Sequence, residues 1–201
     1  LAALPLRPAA LLAAVIVAVA LLSAAFSNDV VCLAVTPALI DACARRRLDP
    51  VPFLLALACS ANVGSAATLI GNPQNMLIGQ VLKMPFGGYL VVASVPVIGG
   101  LAAIWLLIAW QVAGHWTADR DPPPAQLPSL DVPLDRWQTA KGLTVAAALM
   151  TVFLFTSWPR EVAALVGAGL LLTSRKLHSR EMLGQVDWEL LILFIGLFVV
   201  N

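Results

Sequence analysis

The sequence predicts an all-α integral membrane protein, from its composition, the length of its apolar runs and the placing of its basic residues. Hydrophobic residues make up 60% of the chain, charged residues 11%, and mean hydropathy is +0.90. A soluble domain carries about 25% charged residues, so a chain this poor in charge belongs in lipid. Net charge is +1. No Lys/Arg cluster is interleaved with stacking aromatics, which excludes a nucleic-acid partner.

Taken in order, the first apolar segment is 9–26 and the second 30–44, with Ser27-Asn28-Asp29 between them. Arg7 and the run Arg45, Arg46 and Arg47 should share the cytoplasmic side, because cytoplasmic loops collect Lys and Arg. Residues 8–44 must then enter and return. The second arm reaches only about 22 Å at 1.5 Å per residue, against a hydrocarbon core of about 30 Å. A re-entrant hairpin with its tip at Ser27-Asn28-Asp29 fits better than two full spans, and Asn28 and Asp29 are placed to cap the second arm. The alternative is two ordinary spans with those residues as caps outside the membrane. Asp41 is expected to pair with Arg45 one turn on.

From Asp49-Pro50-Val51-Pro52 the chain re-enters and crosses once, over about 53–83, to Lys83. Gly64, Gly71 and Pro73 prevent a regular helix there. The expectation is half-helices at 53–63 and 74–83 joined by an unwound segment, Gly64 to Pro73. The turn falls at Met84-Pro85-Phe86-Gly87-Gly88. A span at about 89–113 follows, bent at Pro96 and Gly99-Gly100.

Residues 114–137, with Pro122-Pro123-Pro124, read as a cytoplasmic linker. Two spans at about 139–157 and 161–174 come next, then the basic stretch Arg175–Arg180. A last span starts near Asp187-Trp188. Trp110, Trp116, Trp137, Trp158 and Trp188 fall at span ends, as an interfacial belt requires. On this path ten of the 12 Lys and Arg are cytoplasmic, so the topology is self-consistent. The chain opens on Leu and stops inside an apolar run, as a piece of a longer protein would.

Polar groups without partners in hydrocarbon cost several kcal/mol each, so the two polar breaks must be buried in protein or line a cavity. Interrupted apolar segments mark the binding sites of transporters, and the two breaks are read as one site. Helix ends near Phe26 and Val63 present carbonyls, with the hydroxyls of Ser23 and Ser27, to a hard cation. Helix starts near Val30 and Gln74 present N–H groups to an anion. Neither break holds Lys or Arg, so an anion there calls for a co-bound cation or proton. Cys32, Cys43 and Cys59 lie in apolar segments and are read as reduced packing residues. No Ser/His, paired-Asp or His-x-x-x-His arrangement occurs in the spans, which argues against an intramembrane enzyme.

The stretches Leu22-Ser23-Ala24-Ala25-Phe26-Ser27-Asn28-Asp29, Thr36-Pro37, Asp49-Pro50-Val51-Pro52-Phe53 and Ala61 through Gly79, with Gly71-Asn72-Pro73-Gln74-Asn75, resemble the ion transporter superfamily. The nearest resemblance is to its citrate-transporter-like anion permeases, which include divalent anion/sodium symporters and arsenite permeases. Val186-Asp187-Trp188-Glu189-Leu190 resembles the helix that precedes the second hairpin in that family.

The resemblance implies an inverted-repeat secondary transporter, each repeat giving one re-entrant hairpin and one discontinuous helix. The first repeat would occupy 1–113, with the second starting in 138–201 and incomplete. It implies multi-pass insertion in the cell's inner membrane and symport of a small anion with Na⁺ or H⁺, with no covalently bound cofactor. Ser23, Ser27 and Asn28 would be Na⁺ ligands with the carbonyl of Gly71. Asn28, Asn72 and Pro73 would face the solute, with Asp29, Thr68 and Asn75 completing that set. Asp29 stands where dicarboxylate carriers have Thr, which favours the arsenite-permease side and proton coupling. The alternatives are a sodium/proton antiporter exchanging at Asp29 and a non-transporting membrane subunit. Assembly is left open, a homodimer included. Gly167 and Gly169 are expected to serve helix packing.

Overall fold

A computed structural model describes residues 7–117, 136–156, 158–172 and the isolated positions 188, 191, 192, 195, 196 and 199. Every regular element among them is a helix, in two separate compact units, 1–134 and 135–201.

In the first unit the helices are α1 (Pro8–Ala25), α2 (Asn28–Arg45), α3 (Pro50–Ser65), α4 (Pro73–Val81) and α5 (Phe86–Gln111). Helix α3 is central: α1, α2 and α5 all pack on it, whereas α1 and α2 touch each other far less. Its buried residues Phe53, Ala56, Leu57, Ser60, Ala61 and Gly64 recur three or four apart, a single stripe. The facing stripe on α1 runs Leu11, Leu12, Val15, Ile16, Val19, Ala20 and Ser23. The backbones come closest where Gly64 meets Ala20, and a Cβ on residue 64 would overlap Ala20 backbone atoms. Small residues at helix contacts permit this approach in membranes.

Local signals set the helix starts. Pro50 opens α3 behind Asp49, whose carboxylate accepts from the Val51 N–H at 3.0 Å. Arg47, with φ of 54°, ends the α2 segment in the left-handed region. Next to it, the Asp49 N–H donates to the Trp116 carbonyl at 3.1 Å and Leu48 bridges to Thr117. Phe53 and Trp116 stack obliquely with ring centroids 6.3 Å apart. The turn between α2 and α3 is thereby tied to the end of α5. Arg45 and Asp41 pair at 2.8 Å, as expected.

Three expectations are corrected. Helix α2 has 18 residues, equal to α1, so each arm is about 27 Å long and the length difference between them disappears. Of the three residues it gains, Asn28 and Asp29 lie inside it behind Ser27 instead of capping it, and Arg45 extends its other end. Phe86, Gly87 and Gly88 belong to α5, so the turn is confined to Leu82–Pro85.

In the second unit α6 (Arg136–Phe155) packs on α7 (Arg160–Leu172). A Cβ at Gly167 would press on Leu149, which makes it a packing glycine, whereas a Cβ at Gly169 would meet nothing within 4 Å. The linker's Pro122-Pro123-Pro124, the Arg175–Arg180 stretch and Asp187 lie outside the described residues.

Helices α1 and α5 are long and apolar enough to cross a membrane, with mean hydropathies of 2.5 and 2.4. Large apolar side chains are also left outside: Val91, Val92, Val95 and Ile98 on α5 are 65–75% exposed. Water would not tolerate such a surface; lipid or further helices would.

Gly64→Val should destabilise the α1–α3 contact by about 1–3 kcal/mol or more, the usual cost of overpacking. Thermal unfolding of the detergent-solubilised protein checks this, with the exposed-site control Gly99→Val expected to be nearly silent.

Candidate functional site

Between Ser65 and Pro73 the backbone is not helical, and side chains give several of its polar groups an internal partner. Asn75 is the main one. Its buried side-chain amide donates to the carbonyls of Thr68 at 2.9 Å, Ala66 at 3.4 Å and Ser65 at 3.5 Å. Asn72 is the cap of α4: its Oδ1 accepts from the Asn75 N–H at 2.8 Å, and its Nδ2 donates to Ser65 Oγ at 3.2 Å. Pro73 sits at the first helical position, where its missing N–H costs nothing. Gly71 is buried against the Ser65 carbonyl so closely that any Cβ would overlap it. The Tyr89 hydroxyl, from α5, donates to the Ala66 carbonyl at 3.2 Å.

The hairpin tip meets this break in two places. Asn28 Nδ2 donates to Asn62 Oδ1 in the last turn of α3 at 3.0 Å. Thr68 Oγ1 donates to the carbonyl of Ala24, in the last turn of α1, at 2.6 Å. Thr68 therefore neither stands free nor bonds back to its own helix; it reaches across to the hairpin. Nearby, Ser23 Oγ is fully buried and has no hydrogen-bond partner among the described residues. A buried hydroxyl in that state costs about 1–3 kcal/mol unless a water or ion satisfies it. Asp29 lies exposed in the first turn of α2.

The helix ends differ from the sequence expectation. All four terminal carbonyls of α3 already hold donors: Ser65 Oγ on Asn62, the Ala66 N–H on Val63, the Ala67 N–H on Gly64, and Asn75 Nδ2 on Ser65. At the start of α4, Pro73 has no N–H, and those of Asn75 and Met76 go to the side chain and carbonyl of Asn72. Only the Gln74 N–H lacks a partner among the described residues, because the cap that ends the break also uses up its positive pole. The first turn of α2 is more open, since Ser27 provides no side-chain cap.

Of the expected site residues, Asn28, Thr68, Asn72 and Asn75 fall in one hydrogen-bonded cluster, Gly71 and Pro73 shape its backbone, and Ser23 is buried at its edge. Asn62 and Tyr89 belong to the same cluster and were not among the expected residues. An amide in the last turn of an otherwise apolar helix was the available signal for Asn62. For Tyr89, the chain's single tyrosine, there was none.

The model of the citrate transporter family (CitMHS) matches residues 4–201. The chain belongs to the citrate transporter family. Among relatives, it is 31% identical over 208 residues to the uncharacterised transporter MT2759 of Mycobacterium tuberculosis, covering 98% of this chain and 46% of that protein. It is 42% identical over 98 residues to the silicon efflux transporter LSI3 of Oryza sativa subsp. japonica, 49% of this chain and 20% of that protein. It is 40% identical over 88 residues to the Dictyostelium discoideum protein arsB, 44% of this chain and 16% of that protein. The chain thus spans about half the length of the relative it matches end to end. No solved structure matches it. Membership places this citrate-transporter relative within the ion transporter superfamily and in a membrane.

Asn75→Asp replaces an amide donor with a group that only accepts, facing three carbonyls, and should cost at least about 3 kcal/mol; Asn75→Ala should cost about 1–3 kcal/mol. Thermal melts in detergent should rank wild type above Asn75→Ala above Asn75→Asp.

Proposed function

We propose that the full-length protein is a secondary active transporter that carries a small oxyanion, or its protonated oxyacid, across the cytoplasmic membrane with Na⁺ or H⁺. The bond from Asn28 to Asn62 is the observation that carries this. It joins the tip of one interrupted element to the break of another, the arrangement in which transporters hold ion and solute. On this reading α1 and α2 form a re-entrant hairpin, α3 and α4 a discontinuous helix, and a second, inverted set completes the site.

The coupling cation would sit at Ser23, Ser27, Asn28 and the Gly71 carbonyl. The buried, unpartnered hydroxyl of Ser23 supports that, since a hard cation is one of the few groups that would satisfy it. Solute would meet Asn28 and the α2 N-terminus, with Asp29 neutralised by a proton or the cation. Thr68, Asn72, Pro73 and Asn75 act on this reading mainly by fixing the break. The silicon efflux relative and the resemblance to arsenite permeases make silicic acid and arsenite the first solutes to test, with citrate as the charged comparison.

Asp29 supports a second reading, sodium/proton exchange, because it is a carboxylate at the tip with no ion-pair partner among the described residues.

Proteoliposomes of the full-length protein separate these. Uptake of silicic acid, arsenite or citrate only under an inward Na⁺ or H⁺ gradient is the expected result, and Asn28→Ala should abolish it with the protein still monodisperse. Collapse of a pH gradient on Na⁺ addition, with no solute dependence, would establish exchange instead.

A further inference from the structure

Two large cavities flank α3 in the first unit. One, of about 500 Å³ between α1, α3 and α5, is lined by alanines, valines, isoleucines and Trp105 with Ser94, and offers an oxygen-rich solute nothing to bind. The other, of about 560 Å³, lies between the end of α3 and the start of α5, lined by Asn62, Val63, Ala66, Met84, Tyr89 and Pro96 among others. It shares Asn62, Ala66 and Tyr89 with the hydrogen-bonded cluster, and neither Ala20 nor Ala24 lines it.

Asn62 is its exposed amide. The oxygen of that amide is held by Asn28, while its Nδ2 has no partner among the described residues. Asn28 is the mirror case: its Nδ2 is engaged and its Oδ1 is not. Asn62 lines the pocket, and the bond ties Asn28 to it, so one open N–H donor and one open oxygen acceptor belong to a single hydrogen-bonded pair beside that lining. Tyr89 holds the opposite wall by donating to the Ala66 carbonyl, the first one past α3.

We propose that Asn62 is a solute-contacting residue, oriented by Asn28, and that the pocket between α3 and α5 is how solute reaches the hairpin tip. This rests on the transporter reading and adds a specificity to it. The paired groups ask for a solute with an oxygen that accepts from Asn62 and an O–H that donates to Asn28. A hydroxylated oxyacid, neutral or singly ionised, meets both; a fully deprotonated polyanion meets only the first and places its charge beside an unpaired oxygen. Tyr89 is a positioning residue.

The test uses the full-length protein in proteoliposomes, with silicic acid and arsenite as hydroxylated probes and succinate, which has no O–H when fully ionised, as the polyanion. Asn62→Asp keeps the oxygen that Asn28 holds and removes the open donor. It should raise KM for the hydroxylated probes by about tenfold, the value of one lost hydrogen bond, with kcat little changed. Tyr89→Phe should instead lower kcat and leave the preference among probes as it was. An unchanged KM in both Asn62→Asp and Asn62→Ala overturns the proposal. A second measurement needs no transport: Asn62→Cys, with Cys32, Cys43 and Cys59 replaced by alanine, should react with a small charged thiol reagent and be protected by silicic acid or arsenite. An unreactive or unprotected thiol also overturns it. Failure of the wild-type protein to move any probe sinks the transporter reading instead, and labelling with protection then keeps solute contact at Asn62.

Discussion

The backbone between Ser65 and Pro73 leaves its helix in an apolar setting, and its carbonyls and N–H groups must then find partners inside the protein. Water is not there to supply them, and each one left open would cost several kcal/mol. The Asn75 amide answers part of that demand by bonding the carbonyls of Ser65, Ala66 and Thr68, and Asn72 answers more by capping α4. Once these two side chains are in place the break is a fixed shape rather than a frayed end. Gly71 follows from the same constraint. The Ser65 carbonyl lies where its Cβ would be, so the chain can turn back toward Asn75 only with glycine there.

That fixed shape is what the hairpin docks on. Thr68 can reach the Ala24 carbonyl only because the segment holding it is immobilised by Asn75, and Asn62 can meet Asn28 only because α1 lies close to α3 at Gly64 and Ala20. Packing and polar bonding thus support each other. The close helix contact brings the tip within hydrogen-bond range, and the two bonds across it set the register of α1 and α2 on α3. A hairpin and a broken helix joined this way are suited to move together, since separating them would expose four polar groups to an apolar surface.

Much of this was legible in the sequence, and what was not has a common cause. The helices, both breaks and the Asp41–Arg45 pair follow from local signals: apolar run length, Asp-Pro and Asn-Pro starts, and one-turn spacing. The extra turn of α2 was hidden because Asn and Asp are good caps in isolation. Here the side chain of Asn28 is drawn to Asn62, thirty-four residues away, and no local rule weighs that. Asn72 and Asn75 read as ligands because amides in a broken helix often are. Their amide donors also serve the chain itself, a structural role that only the path of the break could reveal. Asn62 and Tyr89 went unseen for the same reason, their partners being fixed by tertiary contact.

Charge sets the final constraint on what such a site can hold. Neither the tip nor the break contains Lys or Arg, and Lys83 lies beyond the end of α4. The α4 N-terminus, which elsewhere would attract an anion, has one N–H left after its cap, and each terminal carbonyl of α3 already accepts a hydrogen bond, which leaves it one lone pair for a cation. What remains is amides, hydroxyls, the start of α2 and one carboxylate, Asp29. A multiply charged anion would find little there to offset the loss of its hydration, a cost that rises steeply with charge in a low-dielectric setting. A solute of low charge loses less on entry and exchanges its water for amide and hydroxyl contacts of similar strength. On the transporter reading, any greater charge would have to be balanced by an ion that travels with it, since apart from Asp29 the site is built from uncharged groups.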